Sequence, residues 1–210
     1  MSPSVTTVVF DLGGVLVDWN PRYLYRDLFK GDEAAMEHFL STICTPDWND
    51  KQDAGRSFAE AAAELKAKHA AHAEMIDAWF PGFDKMLAGP IHGTVEILTR
   101  LHQSGMPLYA LTNWSDETFP IAQQRFDFLN FFKGILVSGR EKLAKPDPQI
   151  FELLIARYNL TPAQTVYIDD NALNIETARG LGFHALPFTT PQALADDLRR
   201  FDLSPLQRCA

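Results

Sequence analysis

The sequence predicts an α/β protein in which a doubly wound parallel sheet carries an inserted α-helical domain. From residue 94 to the C-terminus, short apolar runs alternate with segments of helical spacing, a pattern typical of parallel sheets with helices on both faces. Between residues 22 and 86 the apolar residues recur at helical spacing, and no convincing strand is found. We therefore predict a core formed by residues 1–16 and 88–210 and a helical domain formed by residues 17–87.

The first strand of the core is predicted at Val8–Phe10, an apolar run that suggests burial on both faces. Asp11 follows it directly, and Gly13 and Gly14 then allow a tight turn in which the backbone approaches a ligand closely. A carboxylate at the carboxyl end of a buried strand lies where open α/β sheets bind their ligands. By itself it is equally consistent with an aspartate that only accepts hydrogen bonds from its own turn.

Beyond this strand, the segment Val17–Arg22 contains Asn-Pro and is predicted to be a turn. Within the inserted domain, the alanine-rich segment Ala59–Ala73 is interleaved with Glu and Lys and predicts a helix. Residues 45–50 and 53–55 predict breaks between helices. The elements predicted for the rest of the core are helix 94–103, strand 107–111, helix 116–126, strand 134–137, helix 149–158, strand 165–168, helix 173–181, edge strand 183–186 and helix 191–200.

Composition argues against several classes of function. The 210 residues are 46% hydrophobic and 22% charged, as in ordinary globular proteins, and the formal net charge of -8 comes with no long basic run. This charge argues against nonspecific binding to nucleic acids or anionic membranes. Cys44 and Cys209 are too few for a disulfide framework or a zinc site. No apolar run approaches the roughly 18 residues of a membrane span, and no signal sequence is recognised, so we expect a cytoplasmic protein.

Polar residues follow several apolar runs of the predicted core. They are Asp11, Thr112-Asn113, Lys145 and Asp169-Asp170. Because the carboxyl ends of parallel strands meet at one edge of a sheet, we expect these side chains to converge there.

At such an edge, Asp11 and Asp170 could share a magnesium ion, which takes oxygen ligands and binds phosphate. Lys145 would neutralise both the Asp11 carboxylate and a phosphate group. Hydrogen bonds to phosphoryl oxygens are expected from Thr112, Asn113 and the backbone N–H groups of Leu12, Gly13 and Gly14. The residues therefore point to Asp11 as a nucleophile and to a small phosphorylated substrate.

These residues lie in four segments: Phe-Asp-Leu-Gly-Gly-Val-Leu (10–16), Leu-Thr-Asn (111–113), Lys-Pro-Asp-Pro (145–148) and Tyr-Ile-Asp-Asp-Asn (167–171). In this order they resemble the four motifs of the haloacid dehalogenase (HAD) superfamily of hydrolases. The inserted helices lie where that family carries its cap domain, so the resemblance covers nearly the whole chain. It implies a Rossmann-like core, a cap that closes over the sheet edge, and a covalent intermediate on an aspartate.

The resemblance also implies roles for single residues. Asp11 would be the nucleophile, while Thr112 and Lys145 would orient the phosphate. Asp170 would bind Mg²⁺ directly together with Asp11, and Asp169 would be either a ligand or a residue that supports the ligands.

The chain departs from the family pattern at Gly13, where the family's phosphatases usually carry a second aspartate that acts as general acid and base. The metal contact expected there uses the backbone carbonyl, which Gly13 still supplies. General acid–base catalysis contributes about 10²–10⁴-fold, so we expect slow turnover, a proton donor from the cap, or a substrate with a good leaving group. The family's further acidic metal-site position falls on Asn174, which could hold a water molecule or Lys145.

Two other functions are consistent with the sequence. A 2-haloacid dehalogenase also uses an aspartate nucleophile without the second aspartate and needs no metal. Such enzymes typically carry Ser-Ser or Ser-Asn where this chain has Asp169-Asp170. Two additional carboxylates would repel a carboxylate substrate. Their cap arginine has no obvious counterpart among Arg22, Arg26 and Arg56. The other alternative is a phosphate-binding protein without catalysis, which would not require the nucleophile, the lysine and the acidic pair together.

Trp19 and Arg22 lie where the chain leaves the core for the helical domain, and we expect them to line the substrate pocket. A hinge packed by aromatic residues is the alternative interpretation. Sugar phosphates and nucleotides are both open as substrates, because residues of the cap would select between them. A monomer and a homodimer are equally consistent with the sequence.

Overall fold

The computed structural model describes residues 4–203, and at its centre lies a five-stranded sheet in which every neighbouring pair of strands is parallel. A separate pair of strands is antiparallel. The strands are β1 (Thr7–Phe10), β2 (Val17–Trp19), β3 (Leu87–Pro90), β4 (Leu108–Thr112), β5 (Gly134–Val137), β6 (Thr165–Asp169) and β7 (His184–Pro187).

The helices alternate with the strands of the large sheet after residue 91. In chain order they are α1 (Arg22–Leu28), α2 (Glu33–Thr42), α3 (Pro46–Asp53), α4 (Phe58–Lys68), α5 (Ala73–Asp77), α6 (Phe83–Met86), α7 (His92–Gln103), α8 (Phe119–Arg125), α9 (Ser138–Glu141), α10 (Pro148–Tyr158), α11 (Ala172–Gly180) and α12 (Pro191–Arg199). Short 3-10 turns are formed by Ala70–His72, Asp127–Phe131 and Pro162–Gln164.

The strand order of the large sheet is β5-β4-β1-β6-β7. The chain runs outward from β1 to β4 and β5 and then crosses back to form β6 and β7 on the other side, so the direction of winding reverses at β1. Phe10 is level with Ala110 of β4 and Ile168 of β6. Residues that directly follow these strands therefore meet at the switch point, where open α/β sheets bind ligands. The predicted doubly wound parallel sheet is confirmed.

Both faces of the sheet are covered by helices, as the uninterrupted apolar strands require. Val8 and Phe10 pack in a cluster with buried residues of α7 and α12. Val9 and Tyr167 point to the opposite face and pack against α10 and α11. Alternate residues of each strand thus enter two different cores, which holds the strand ends in a fixed position.

Helices α1–α6 lie between β2 and β3 in the chain, and these two strands pair antiparallel with Val17 opposite Pro90. Apolar residues of the helices belong to the same buried cluster as Val8 of the sheet. The Trp79 ring organises the helices, because its centroid lies 5.8 Å from that of Tyr25 and 5.1 Å from that of Trp48. All six helices fall within residues 17–87, and the division of the chain into a core and a cap domain stays a prediction.

Residues 45–50, predicted to be a break, instead begin α3, because Thr45 caps this helix by accepting the Trp48 N–H. The structure also corrects two predicted helices and one predicted turn. Val17–Trp19, predicted as part of a turn, is a strand because it pairs with a segment about seventy residues later. The helix predicted over Ala59–Ala73 ends at Lys68, since no large apolar residue between Leu65 and Met75 anchors a continuing helix.

The last correction concerns the helix predicted over residues 116–126, which begins at Phe119. Pro120 occupies the first turn of the observed helix, where its missing N–H leaves no unpaired donor. The Ser115 carbonyl accepts the N–H groups of Thr118 and Phe119 in the preceding turn.

Within residues 4–203, no helix combines the length and the apolar character needed to cross a membrane. Cys44 is buried as a free thiol, and Cys209 lies outside the described residues.

The tight contact of α9 with the loop after β4 generates a prediction. A Cβ atom on Gly139 would lie 2.6 Å from the Asp116 nitrogen and 2.8 Å from the Trp114 oxygen, and both are backbone atoms that cannot move aside. We predict that Gly139→Ala lowers the free energy of unfolding by about 1–3 kcal/mol, the usual cost of overpacking. Urea denaturation measures the change.

Gly180→Ala is the matched control, because Gly180 also lies in a helix and a Cβ atom there would meet nothing within 4 Å. This variant should be more stable than the wild type by about 0.4–1 kcal/mol, since alanine restricts the unfolded chain. Equal effects of the two substitutions would contradict the close backbone contact at Gly139.

Candidate active site

Asp11 lies directly beyond β1, and its side chain is 11% exposed. Its Oδ1 atom accepts the Leu12 N–H at 2.7 Å and lies 2.9 Å from the Lys145 Nζ atom. None of the hydrogen bonds within the described residues ends on Asp11 Oδ2. Asp11 therefore does cap its own turn, but with one oxygen only, and the other is available to a ligand.

The Lys145 side chain is almost fully buried at the switch point. Its ammonium group donates to Asp169 Oδ2 at 2.7 Å and to the Leu111 carbonyl at 3.1 Å, besides its contact with Asp11 Oδ1. These three partners occupy all three N–H donors of the lysine. Lys145 thus fixes two carboxylates that come from different strands.

Asp169 has no exposed surface, and several donors satisfy both of its carboxylate oxygens. Besides Lys145, it accepts from the Tyr167 hydroxyl at 2.5 Å, the Asn171 N–H at 2.8 Å and the Asn174 Nδ2 atom at 3.0 Å. Asn174, predicted to hold a water molecule or Lys145, donates its amide N–H to Asp169 and does not bind Lys145. The position of Tyr167 is a feature that the sequence did not indicate, because alternation along β6 predicted only burial.

Asp170 is the more open acidic residue of this group, and its carboxylate lies over Gly14. Gly14 has φ of +72°, and a Cβ atom there would collide with Asp170 Oδ2. The glycine is therefore needed both for its left-handed backbone and for the close approach of the carboxylate.

The donors at this edge fit a magnesium ion. Asp11, Asp169 and Asp170 each offer an oxygen atom, and the three atoms lie within 4.8 Å of one another. Three carboxylates face one ammonium group, which leaves negative charge for a cation to neutralise. Asn174 Oδ1 nearby is buried without a hydrogen-bond partner among the described residues. Oxygen ligands alone, with no thiol or imidazole, suit Mg²⁺.

The predicted phosphate donors differ in how free they are. Thr112 Oγ1 is buried and has no partner within the described residues. Asn113 binds the backbone of Lys145 instead, accepting its N–H at 2.8 Å and donating Nδ2 to its carbonyl at 2.9 Å. Its second amide N–H is left for a ligand.

In the turn after β1, the Leu12 N–H is taken by Asp11 and the Gly14 N–H donates to the Val17 carbonyl at 3.0 Å. For the backbone N–H and carbonyl of Gly13, the described residues provide no hydrogen-bond partner. Of the three predicted backbone donors, Gly13 is the one that remains available.

A cavity of about 410 Å³ opens above Asp11 and is lined by residues of both the sheet edge and α1–α6. Trp19 and Arg22, the predicted pocket residues, both line it. The Arg22 guanidinium is already bound to the Glu37 carboxylate through Nε at 2.5 Å and a terminal nitrogen at 2.7 Å.

Sequence reasoning missed three polar residues of α3 that line the cavity: Asn49, Asp50 and Asp53. Their i, i+1, i+4 spacing places them on one side of the helix, a signal that was present in the sequence. It was hidden because the segment was interpreted as two breaks between helices.

Burial and charge set the pKa values of the acidic group. Burial, opposed by Lys145, raises the pKa of Asp11 to about 7. Burial also disfavours the charge of Asp169, but Lys145 and the hydrogen bonds outweigh it and lower the pKa of that carboxyl. The pKa of Asp170 is raised, first by burial and then by Asp169. Burial alone would lower the pKa of Lys145, yet the two neighbouring carboxylates raise it.

A family model described as haloacid dehalogenase-like hydrolase matches residues 5–182 of the chain. The protein belongs to this family of hydrolases. The match includes Asp11, Thr112, Lys145 and the Asp169-Asp170 pair, so the prediction of a HAD-superfamily hydrolase is confirmed.

Among its relatives is a sesquiterpene phosphatase of Aspergillus oryzae, 23% identical over 200 residues, which cover 95% of this chain and 98% of the relative. A HAD family enzyme of Bacteroides thetaiotaomicron, solved with magnesium and inorganic phosphate, has a TM-score of 0.67 at 22% identity and covers 89% and 95% of the two chains. The L-2-haloacid dehalogenase of Xanthobacter autotrophicus has a TM-score of 0.62 at 16% identity, covering 93% and 83%. At these identities the structural likeness shows the fold alone.

The buried position of Lys145 generates a prediction about stability. Lys145→Met leaves Asp11 and Asp169 without a cation, and we expect a loss of about 3–5 kcal/mol in the free energy of unfolding at pH 8. Without the lysine, burial should raise the pKa of both carboxyls above that of the unfolded chain. The stability that their protonated forms contribute to the folded variant is then present at low pH and is lost as the pH rises through the folded-state pKa. The loss should therefore be smaller at pH 5.

Chemical denaturation of Lys145→Met at pH 5 and pH 8 measures this difference. Lys68→Met is the matched control, because the Lys68 side chain is 62% exposed and its ion pair with Glu64 lies on the surface. It should change stability little at either pH. A loss for Lys145→Met that is independent of pH would contradict the buried ion cluster.

Proposed function

We propose that this protein is a magnesium-dependent phosphatase that hydrolyses a small phosphomonoester through an aspartyl-phosphate on Asp11. The observation that carries the proposal is the state of Asp11: one carboxylate oxygen is held by Leu12 and Lys145, and the other is unpartnered within the described residues. A fixed carboxylate with one free oxygen at a cavity floor is suited to nucleophilic attack.

Asp11, Asp170 and the Gly13 carbonyl would hold the magnesium ion. Asp169 would support the site, because its oxygens are occupied by Lys145 and three further donors. When bound, Mg²⁺ neutralises phosphate charge and allows two anions to approach each other.

The side chains of this chain would then act in sequence. Asp11 Oδ2 attacks phosphorus, and the bond between phosphorus and the leaving oxygen breaks. Lys145 favours the ionised form of the Asp11 carboxyl and orients it, while the Thr112 hydroxyl, the Asn113 amide and the Gly13 N–H donate to phosphoryl oxygens. Water then attacks phosphorus, and the electron pair of the broken bond returns to Asp11. Positioning and charge neutralisation provide most of the rate gain in such transfers.

We also propose that residues 17–87 form a cap that contacts the alcohol part of the substrate. The cavity wall beside the phosphate site contains the aromatic residues Trp19, Trp79, Phe83 and Trp114. An alcohol with apolar surface fits this wall better than a fully hydroxylated one, and a relative is named for a sesquiterpene substrate. A cytoplasmic location and a monomeric or homodimeric state stay predictions.

Two features of the cavity count against dehalogenation of a 2-haloacid. The Arg22 guanidinium, which would have to bind the substrate carboxylate, is engaged by Glu37. Asp169 and Asp170 would repel that carboxylate in the absence of a cation.

The proposal predicts phosphate release that depends on magnesium and on Asp11. Sugar phosphates, nucleotides, terpenyl phosphates and 2-haloacids are assayed with Mg²⁺ and with EDTA. Asp11→Asn should abolish phosphate release, because the amide is not a nucleophile, whereas the exposed Asp127→Asn should retain it. Activity of Asp11→Asn, or phosphate release in EDTA, would contradict the mechanism. Halide release without metal would support the dehalogenase, and phosphate binding without turnover would support a binding protein.

Magnesium affinity should depend on pH. The pKa of Asp11 without the cation is about 7, so this carboxyl must lose its proton before it binds the metal, and the raised pKa of Asp170 acts in the same direction. Calorimetric titration with Mg²⁺ should give an affinity at least about tenfold higher at pH 8 than at pH 6, since a carboxyl of this pKa is mostly protonated at the lower pH. Equal affinities at the two pH values would contradict these ligands.

A further inference from the structure

The cavity is also lined by a half-buried carboxyl group that the proposed phosphatase mechanism does not yet use. Asp53 is the last residue of α3 and lines the same cavity as Asp11. It reaches the cavity from the helical segment rather than from the sheet.

Asp53 is anchored to the loop that carries the phosphate donors. Its carboxylate accepts Asn49 Nδ2 at 2.9 Å and also interacts with the backbone N–H of Ser115, in the loop after β4. Its carbonyl accepts the Ser138 hydroxyl at 2.5 Å, and the same hydroxyl accepts the Trp114 N–H at 2.9 Å. The group is thus fixed relative to Thr112.

At position 13 the cavity wall lacks a side chain. A Cβ atom on Gly13 would meet nothing within 4 Å, and Gly13 is not among the glycines with positive φ. The position has room for a side chain and a backbone that permits one, yet it provides no proton donor. The reaction therefore needs a donor from elsewhere in the cavity.

Asp53 differs from Asp169 in its electrostatic surroundings, because none of the groups that shift its pKa is a cation. Burial, and then Asp50 on the same helix, raise the pKa of Asp53 to about 7. Several charged groups on the surrounding elements are paired: Arg56 with Glu64, Arg140 with Asp116, and Glu141 with Arg157. Asp47, Lys51, Glu117 and Lys142 also lie on these elements, and none of them is among the groups that shift the pKa of Asp53. Such a carboxyl exchanges a proton near neutral pH, as a general acid and base must.

We propose that Asp53 is the general acid and base for the reaction at Asp11, replacing the side chain that position 13 lacks. This inference rests on the proposed function. In the first step Asp11 Oδ2 forms a bond to phosphorus, the bond to the leaving oxygen breaks, and Asp53 gives its proton to that oxygen. In the second step Asp53 takes a proton from the attacking water as the bond between phosphorus and Asp11 breaks.

Asp53→Asn tests the proposal, because the amide keeps an oxygen acceptor for the anchoring donors but cannot give up a proton. For alkyl phosphates, whose leaving group needs a proton, kcat/KM should fall about 10²–10⁴-fold. For p-nitrophenyl phosphate, whose leaving group does not, kcat/KM should change little. The kcat on this substrate should still fall, because the second step lacks its base. A burst of nitrophenolate equal to the enzyme concentration should therefore precede the slow steady state. The decline of kcat/KM for alkyl phosphates above pH 7 in the wild type should vanish in the variant.

Two further variants separate catalysis from structure. Asp47→Asn changes an exposed carboxyl of α3 that does not line the cavity, and it should retain the wild-type ratio of rates on alkyl and nitrophenyl substrates. Gly13→Asp combined with Asp53→Asn should restore alkyl phosphate hydrolysis, because the cavity has room at position 13. Equal losses on both substrates without a burst, or no rescue, would overturn the proposal.

The wild type provides a test that does not require the variant to fold. Its kcat/KM should depend little on the pKa of the leaving alcohol, and a steep dependence would overturn the role of Asp53. A wild type without magnesium-dependent phosphate release, or an active Asp11→Asn, would instead refute the proposed function. If phosphate release depends on Asp11 and magnesium but Asp53→Asn behaves like the wild type, this inference alone is refuted.

Discussion

The Lys145 ammonium group joins the parts of the chain on which the site depends. It lies between Asp11 at the end of β1 and Asp169 at the end of β6, and it also binds the Leu111 carbonyl of β4. A buried ammonium group is costly unless each of its donors finds a partner, and here all three do. The same contacts give the carboxylates a counter-charge. The position of the proposed nucleophile therefore depends on the same contacts that join the three neighbouring strands.

The fold supplies what this ion cluster cannot supply alone. The register of β1 with its neighbours brings the strand ends level, and Gly14 allows the Asp170 carboxylate to lie against the backbone. Ser138 holds the end of α3 against the loop after β4, so the helical segment contributes polar groups to the cavity from a fixed position. The sheet edge thus carries the proposed nucleophile and metal ligands, whereas the helices carry the wall that faces the rest of the substrate.

Most of the sheet and its edge could be predicted from the sequence, because the signals are local. An apolar run followed by Asp11, and another followed by Asp169-Asp170, are visible within a few residues. The pairing of Val17–Trp19 with Leu87–Pro90 was missed because the two strands are only three and four residues long and lie far apart in the sequence. The spacing of Asn49, Asp50 and Asp53 on one side of a helix was visible in the sequence. Whether that side faces the cavity, and whether Glu37 engages Arg22, depends on how helices pack, which no local pattern encodes.

The central claim is that Asp11 itself becomes phosphorylated during turnover. It is tested most directly by quenching the enzyme with acid during hydrolysis of a phosphomonoester and reducing the acyl phosphate with borohydride, which converts a phosphorylated aspartate to homoserine. Mass spectrometry of the peptides then locates the change. The account predicts homoserine at position 11 only when substrate and magnesium are both present. An unmodified Asp11 under conditions of steady phosphate release, or a modification at another carboxylate, would contradict it.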